Sequence, residues 1–144
     1  MERHLEKLMK EHGVNPTAMR MLVLRCLVEA GETLTLRQIE EELCTADRST
    51  IFRTLCLFER HRLLHSIHDG SGSVRYEVCH SSHDHDSDDD RHPHFRCLRC
   101  GRTICLSECR IPKVELPAGF QAEQVDYVIT GVCPACSDNG VYLA

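Results

Sequence analysis

The hydrophobic positions of the first half of the chain recur at helical spacing. Apolar residues set among charged ones predict an amphipathic helix over 2–12, which Gly13 ends. Asn15 is predicted as the N-cap of a second helix, with Pro16 at its first position, and this helix is expected to run up to Gly31.

Two further helices are predicted downstream, with a tight turn between them. Thr35 is expected to cap a short helix that runs through Leu43. The turn 44–46 then leads to a longer helix, from Asp47 to about His61. A short helix, a tight turn and a longer helix are typical of a helix-turn-helix motif.

The longer of these helices has an apolar stripe and a polar start. Ile51, Leu55 and Phe58 recur at i, i+4 and i+7 and are predicted to face the core. The residues near the helix start, mostly outside that stripe, are Arg48, Ser49, Thr50 and Arg53. In a helix-turn-helix protein such residues enter the DNA major groove, whereas a solvated helix face is the simpler interpretation of the same pattern.

After the fourth helix the pattern changes to alternation of apolar and polar residues. Segments 63–68 and 73–79 alternate, and the Gly/Ser-rich turn 69–72 joins them, which predicts a β-hairpin. Helices followed by a hairpin make a winged helix. Residues 1–79 are therefore predicted to form a winged-helix DNA-binding domain.

The second half is predicted to hold a smaller unit behind a linker. Residues 80–91 are acidic, low in complexity and rich in His and Asp, which favours a linker. Strands are predicted over 102–106 and 125–132, within a three-stranded α/β or mostly β unit over 92–144. The expected fold class is α+β.

The composition makes a metal the first candidate for stabilising this chain. Hydrophobic residues are 42% and charged residues 27%, as in soluble globular proteins, but aromatics are 5% with no Trp, so the core is modest. Ten Cys and ten His can supply the ligands of a structural metal, which would stabilise a domain with so small a core. The net charge is -5, yet residues 1–79 carry 11 Lys/Arg against 12 Asp/Glu, which leaves room for a basic face there.

The expected compartment also favours metal over disulfides. The sequence shows no secretory signal and no apolar run of about 18 residues, so a cytoplasmic protein without membrane contact is predicted. Thiols stay reduced in the cytoplasm, where paired Cys-x-x-Cys motifs indicate metal binding.

Four cysteines have the spacing of a structural zinc site. Cys97-x-x-Cys100 and Cys133-x-x-Cys136 follow predicted strands and can place four thiolates around one ion. Such a site has no open position for chemistry. A rubredoxin-like iron site is the chemical alternative.

A second, regulatory metal site is predicted from histidines and one cysteine. His92 and His94 share a face if their segment is extended. His65 and Cys79 lie on the two hairpin strands and can complete a site of three nitrogens and one sulfur, which suits zinc. Glu77 is the alternative oxygen ligand, and it would shift the preference towards ferrous iron or manganese.

Taken together, these motifs resemble the ferric uptake regulator (Fur) family over nearly the full length of the chain. The matching segments are 16–20, 49–55, Tyr76-Glu77, His92-x-His94-x-x-Cys97-x-x-Cys100-Gly101 and Cys133-x-x-Cys136. The resemblance implies a homodimeric, metal-dependent repressor with a winged-helix domain and a C-terminal dimerisation domain.

Within that family, the second site is most similar to the zinc-uptake-regulator branch. His65 and Cys79 match that branch, whereas iron-sensing members favour a His near position 34, where this chain has Leu34, which cannot bind metal. The resemblance therefore implies Zn(II) as the cofactor, two ions per subunit, with Fe(II) possible at the regulatory site.

The predicted function is a repressor that senses Zn(II) and controls metal-uptake genes. Ser49, Thr50 and Arg53 are expected to meet the major groove of a palindromic DNA operator, and Arg20 and Arg75 its backbone or minor groove. Zinc at the regulatory site would fix the spacing of the two recognition helices in a homodimer.

Three alternatives remain open on the sequence. The same fold can sense Fe(II), peroxide or haem. A metal-storage or scaffold protein would explain the His/Asp segment but not the recognition helix. An enzyme would need an open zinc position and a general base, for which Glu77 is the one placed residue, so no enzymatic activity is predicted.

Overall fold

Four helices and two three-stranded sheets make up the described part of the chain, residues 1–78, 92–106, 108–123 and 125–137 of a computed structural model. The elements are α1 (Glu2–Glu11), α2 (Ala18–Ala30), β1 (Leu34–Thr35), α3 (Leu36–Glu42), α4 (Arg48–Arg60), β2 (Leu64–His68), β3 (Val74–Val78), β4 (His94–Cys97), β5 (Thr103–Cys105) and β6 (Val128–Gly131). The predicted α+β class is confirmed. Clustering of contacts divides the chain into two compact units, Met1–His83 and Asp84–Ala144.

The boundary between the units falls inside the predicted linker. Residues 80–91 lie outside the described residues, so their role as a linker stays a prediction. In the part of the chain that the structure describes, no helix has the length and apolar character needed to cross a bilayer.

The first unit encloses the larger core. All four helices and the sheet β1-β3-β2 contribute to one buried hydrophobic cluster. The predicted stripe of α4 is confirmed, because Ile51, Leu55 and Phe58 are fully buried in it. This burial orients α4, since it leaves the opposite face of the helix exposed.

Side-chain caps begin the two helices of the helix-turn-helix. Thr35 Oγ1 accepts a hydrogen bond from the Gln38 backbone N–H at 3.2 Å, and Gln38 Oε1 accepts one from the Thr35 N–H at 2.9 Å, a reciprocal capping box. Asp47 Oδ1 accepts the Thr50 N–H at 2.7 Å at the start of α4. Both predicted helix starts are confirmed.

The predicted start of α2 is wrong by two residues. Its N-cap is Thr17, which accepts from the Arg20 N–H, and the helix begins at Ala18. A threonine hydroxyl supplies the capping oxygen, so Pro16 lies just outside the helix. The Asn15 carbonyl instead accepts a hydrogen bond from Arg20 Nη1 at 2.7 Å.

The wing contains one strand more than the alternating pattern predicts. The hairpin β2–β3 is present, and β1 adds to its open side with Leu34 opposite Tyr76. A strand of two residues carries no detectable alternation, because a period of two needs several residues to be read. This strand ties the start of α3 to the wing.

The regular secondary structure in the described part of the second unit is all strand. β4 lies in the middle, antiparallel to β5 and parallel to β6. Its outer strands are shorter than the predicted 102–106 and 125–132. The described residues from 92 to 137 contain no helix, which favours the mostly β alternative.

Candidate functional site

The four paired cysteines meet at one end of the second sheet. β4 ends at Cys97, and the parallel partner strand β6 pairs Gly131 with Cys97, so both strands deliver their Cys-x-x-Cys turns at the same end. The sulfurs of the following four residues lie within 4.8 Å of one another: Cys97, Cys100, Cys133 and Cys136.

The spacing of these sulfurs fits a tetrahedral ion. Zn–S bonds of about 2.3 Å imply sulfurs roughly 3.8 Å apart in a tetrahedron. Cys100 Sγ and Cys133 Sγ are 3.8 Å apart. The donor set is all sulfur and leaves no position for water, which is the chemistry of a structural zinc site.

Backbone N–H groups converge on one of the four sulfurs. Cys97 Sγ accepts hydrogen bonds from the Cys100 N–H at 3.5 Å and the Cys133 N–H at 3.4 Å. Each turn thus donates to the same sulfur. Hydrogen bonds to a thiolate stabilise its charge and orient it before a metal arrives.

These contacts separate the acidities of the first and last cysteines. The Cys100 N–H, followed by the Cys133 N–H, lowers the pKa of Cys97 to about 6. Hydrogen bonding with the Cys133 side chain, followed by burial, raises the pKa of Cys136 to about 12. Because a metal binds thiolates, binding must displace the Cys136 proton over most of the pH range.

An arginine joins the two cysteine turns. Arg99 lies between Cys97 and Cys100, and its Nη1 donates to the Cys136 carbonyl at 3.1 Å. The first turn therefore holds the end of the second.

The second predicted site is represented in the first unit by a His–Glu pair. His65 on β2 lies directly opposite Glu77 on β3, and His65 Nε2 is 3.1 Å from Glu77 Oε2. A carboxylate in this position fixes the tautomer of the imidazole by accepting its Nε2 proton. Cys79, the predicted sulfur ligand, lies outside the described residues.

The two predicted histidine ligands of the second unit lie at the start of β4. His94 is the first residue of the strand, between Cys105 on β5 and Val128 on β6, and its N–H donates to the Tyr127 carbonyl at 2.9 Å. His92 lies before the strand. The strand begins after Pro93, so the prediction that the two histidines share a face is not tested by the strand pairing and stays a prediction.

The face of α4 opposite the core carries the predicted DNA contacts. Ser49 and Arg53 are exposed, and Arg53 Nη2 lies 3.5 Å from Thr50 Oγ1. The hydrogen bonds from the Thr50 hydroxyl and N–H lower the pKa of Asp47, the N-cap of this helix. Phe52 is 47% exposed beside Arg53. Phe52 is therefore a further candidate contact that the sequence analysis did not name, although its position outside the Ile51 stripe was a usable signal.

The two other predicted DNA contacts already have partners. Arg20 donates to the Asn15 carbonyl and keeps partial exposure. Arg75 Nε donates to Asp69 Oδ2 at 2.9 Å, and 13% of the Arg75 side chain is exposed. Contact of either residue with DNA stays a prediction.

Comparison with protein families decides the class of this molecule. Residues 11–126 match the family model described as the ferric uptake regulator family. The chain belongs to the ferric uptake regulator family. It is therefore a metal-responsive, DNA-binding transcriptional regulator and not an enzyme.

Curated relatives of this Fur-family chain match along nearly all of its length. The ferric uptake regulation protein of Campylobacter jejuni is 25% identical, with 93% of this chain and 87% of that protein covered. The ferric uptake regulation protein of Neisseria meningitidis is 27% identical, with 92% of each covered.

Solved structures of the family share its fold. The Vibrio cholerae ferric uptake regulator has a TM-score of 0.59 at 18% identity, with 89% of this chain and 98% of that chain covered. Holo XcZur has a TM-score of 0.65 at 21% identity, with 94% and 95% covered. A zinc uptake regulator complexed with zinc and DNA has a TM-score of 0.63 at 19% identity, with 93% and 91% covered.

Proposed function

We propose that this Fur-family regulator is a zinc-sensing repressor of metal-uptake genes. A structural zinc is held by Cys97, Cys100, Cys133 and Cys136. The observation that carries this assignment is the convergence of the four sulfurs within 4.8 Å of one another. This ion fastens β4 to β6 and supports the second unit whether or not the regulatory site is filled.

The sensing ion is held by His65, Cys79, His92 and His94. Three nitrogens and one sulfur suit zinc better than ferrous iron by ligand softness. The contact between His65 and Glu77 supports this set, because a carboxylate that accepts the Nε2 proton leaves Nδ1 of His65 for the metal. Since His65 and Cys79 precede the linker and His92 and His94 follow it, filling this site restricts the motion of one unit against the other.

Two copies of the chain form the repressor. The second unit exposes apolar side chains at Val114, Leu116, Phe120, Val125 and Ile129. Several exposed large apolar side chains in so small a unit are expected where a surface is covered in an oligomer. A symmetric dimer presents two α4 helices and so fits a palindromic operator, whose half-sites are about one helical turn apart in related motifs.

DNA is contacted by the exposed face of α4. Ser49, Thr50 and Arg53 enter the major groove, and Arg20 contacts the backbone or minor groove. Zinc at the regulatory site restricts the motion of the first unit. It thereby favours the spacing between the two α4 helices of the dimer at which both half-sites are contacted. A coupling of ~1–3 kcal/mol between metal and DNA binding is enough for a switch. The chain acts in the cytoplasm, where its thiols remain reduced.

An iron sensor is the second candidate, and one observation favours it. The 3.1 Å separation of His65 Nε2 and Glu77 Oε2 also suits two ligands of one ion. With Glu77 as a ligand in place of Cys79, the site would be richer in nitrogen and oxygen and would suit Fe(II).

An anaerobic titration of DNA binding with Zn(II) and with Fe(II) distinguishes the two candidates. The variants are Cys79→Ser, His92→Ala and Glu77→Gln, and Cys44→Ser, an exposed cysteine of the helix-turn-helix turn, is the control. The zinc proposal predicts that Cys79→Ser and His92→Ala lose zinc-dependent binding and that the control keeps it. Unchanged zinc dependence in both site variants would refute it. Activation by Fe(II) alone, lost in Glu77→Gln, would establish the iron sensor instead.

A further inference from the structure

One carboxylate organises the turn of the wing, residues 69–73 between β2 and β3. Asp69 Oδ2 accepts a hydrogen bond from Arg75 Nε at 2.9 Å, and the Asp69 and Arg75 side chains keep 1% and 13% of their surface exposed. Asp69 Oδ1 accepts the Ser71 backbone N–H at 2.9 Å. Asp69 therefore connects the near end of the turn with the strand that leaves it.

Arg75 is a firm anchor because it lies on the central strand of the sheet. Arg75 lies on β3, opposite Thr35 of β1 on one side and Ile67 of β2 on the other. Ladders on both sides fix its backbone, so the guanidinium can hold Asp69 in one place. An Arg–carboxylate pair with little exposure to water is also screened less by salt than a surface pair.

The remainder of the turn is exposed and carries hydrogen-bonding groups. Gly70 and Gly72 adopt φ angles of 84° and 87°. The Ser73 N–H donates a hydrogen bond to Ser71 Oγ at 3.3 Å. Serine hydroxyls and backbone N–H groups are frequent contacts of DNA phosphates. A turn held in one conformation loses less entropy on binding than a free turn does.

We propose that Asp69 and Arg75 are positioning residues for DNA binding, and that Arg75 acts by holding the wing turn and not by contacting DNA. This inference rests on the proposed function, since it assumes that the wing meets the DNA backbone. It reassigns Arg75, whose charge alone made it a predicted DNA contact. It also gives Asp69 a role in DNA binding, which the negative charge of this residue alone would not suggest.

Removing the charge of Asp69 has opposite expected effects, depending on whether Asp69 acts on DNA only through its charge or positions the turn. A carboxylate near DNA repels phosphate, so Asp69→Asn should tighten binding if electrostatics alone matter. If Asp69 positions the turn, the same variant loosens the turn and weakens binding. Asn keeps the size of Asp and an acceptor for the Ser71 N–H, so the variant weakens the charged bond with Arg75 while the contact with Ser71 can be retained.

The experiment measures the DNA affinity of the zinc-loaded full chain over a series of salt concentrations. The probe is a duplex selected from a random-sequence pool by the wild-type protein. The variants are Asp69→Asn, Arg75→Lys, the double variant of these two, and Arg75→Gln, which removes the charge. They are compared with Glu29→Gln, an exposed acid at the end of α2 that serves as the charge control. Thermal melting and zinc content confirm that each variant is folded.

Positioning predicts that Asp69→Asn and Arg75→Lys each weaken binding about tenfold, the factor equivalent to one charge-assisted hydrogen bond. The double variant should be no weaker than the single ones, because both break the same pair. The slope of log affinity against log salt should not change. A phosphate contact by Arg75 would overturn the proposal: Asp69→Asn would then bind at least as well as wild type, and Arg75→Gln would reduce the slope by about 0.9.

A measurement without DNA separates failure of this inference from failure of the proposed function. Amide exchange of Ser71 should be faster in Asp69→Asn than in wild type, because the turn loses its anchor. Unchanged exchange would refute the inference even if no DNA bound. Wild-type protein that selects no duplex would refute the proposed function and leave the exchange result to decide on the turn.

Discussion

The pH dependence of metal binding tests the four-cysteine site most directly. A metal ion competes with protons for the sulfurs, so its apparent affinity rises with pH by about one log unit per pH unit for each proton that it displaces. The two perturbed groups, Cys97 and Cys136, act in different pH ranges. The slope of the titration is therefore predicted to change at a defined pH.

The magnitude follows from the two pKa values. In the metal-free protein Cys136 keeps its proton up to a pH of about 12, so a metal must displace that proton at every lower pH. The Cys97 proton is already lost above a pH of about 6, the lowered pKa of this thiol, and must be displaced only below it. The affinity should thus fall at least tenfold per pH unit on acidification, and about tenfold more steeply per unit below pH 6.

The assay is competition for Zn(II) with a chelator of known pH dependence, from about one pH unit below the lowered pKa of Cys97 to about two units above it. It is combined with a measurement of proton release in weakly buffered solution. Cys136→Ser should reduce the slope by about one proton, and Cys109→Ser, an exposed cysteine outside the cluster, should leave it unchanged. The same slope above and below the pKa of Cys97 would refute this assignment of the protons that zinc displaces. Zinc binding at neutral pH without proton release would refute it as well.

Three further changes test other parts of the structure. Arg99→Gln should accelerate zinc loss to a chelator, because the hydrogen bond to the second cysteine turn is weakened. Arg110→Gln, a change at another exposed arginine, should leave the rate unchanged. Equal rates in the two variants would show that Arg99 does not stabilise the site. Phe58→Ala should destabilise the protein by about 3–5 kcal/mol in a urea melt because Phe58 is fully buried, whereas Phe52→Ala should stay within ~0.5 kcal/mol and alter DNA binding instead. Ile129→Arg, on the edge strand β6, should convert a dimer to monomers in light scattering; an unchanged mass would place the interface elsewhere.

The helical half of the fold was predictable because its signals are local. The caps Thr35 and Asp47 and the stripe of α4 depend on residues three to seven positions apart, and all are present. The start of α2 was misplaced because Asn15 and Thr17 are both capping residues within three positions. The choice between them depends on which oxygen reaches a free N–H group, and the sequence alone does not show it.

The cluster of four cysteines was predictable from the sequence, but its internal hydrogen bonding was not. The Cys-x-x-Cys spacing indicates which sulfurs meet, because each pair closes its own turn. That both N–H donors converge on Cys97, and that Arg99 reaches the Cys136 carbonyl, depends on the parallel pairing of β4 with β6. Pairing between strands so distant in sequence is set by packing and not by local pattern.

The position of His94 connects the two proposed metal sites through a single strand. β4 starts at His94 and ends at Cys97, a distance of about 10 Å along an extended chain. The four-cysteine site fixes one end of β4 against β6, and the pairing of His94 with Cys105 and Val128 fixes the other. We therefore expect loss of the structural ion to release the strand that carries the regulatory ligand. On this view the four-cysteine site sets the geometry in which the regulatory site can bind its metal, although it senses nothing itself.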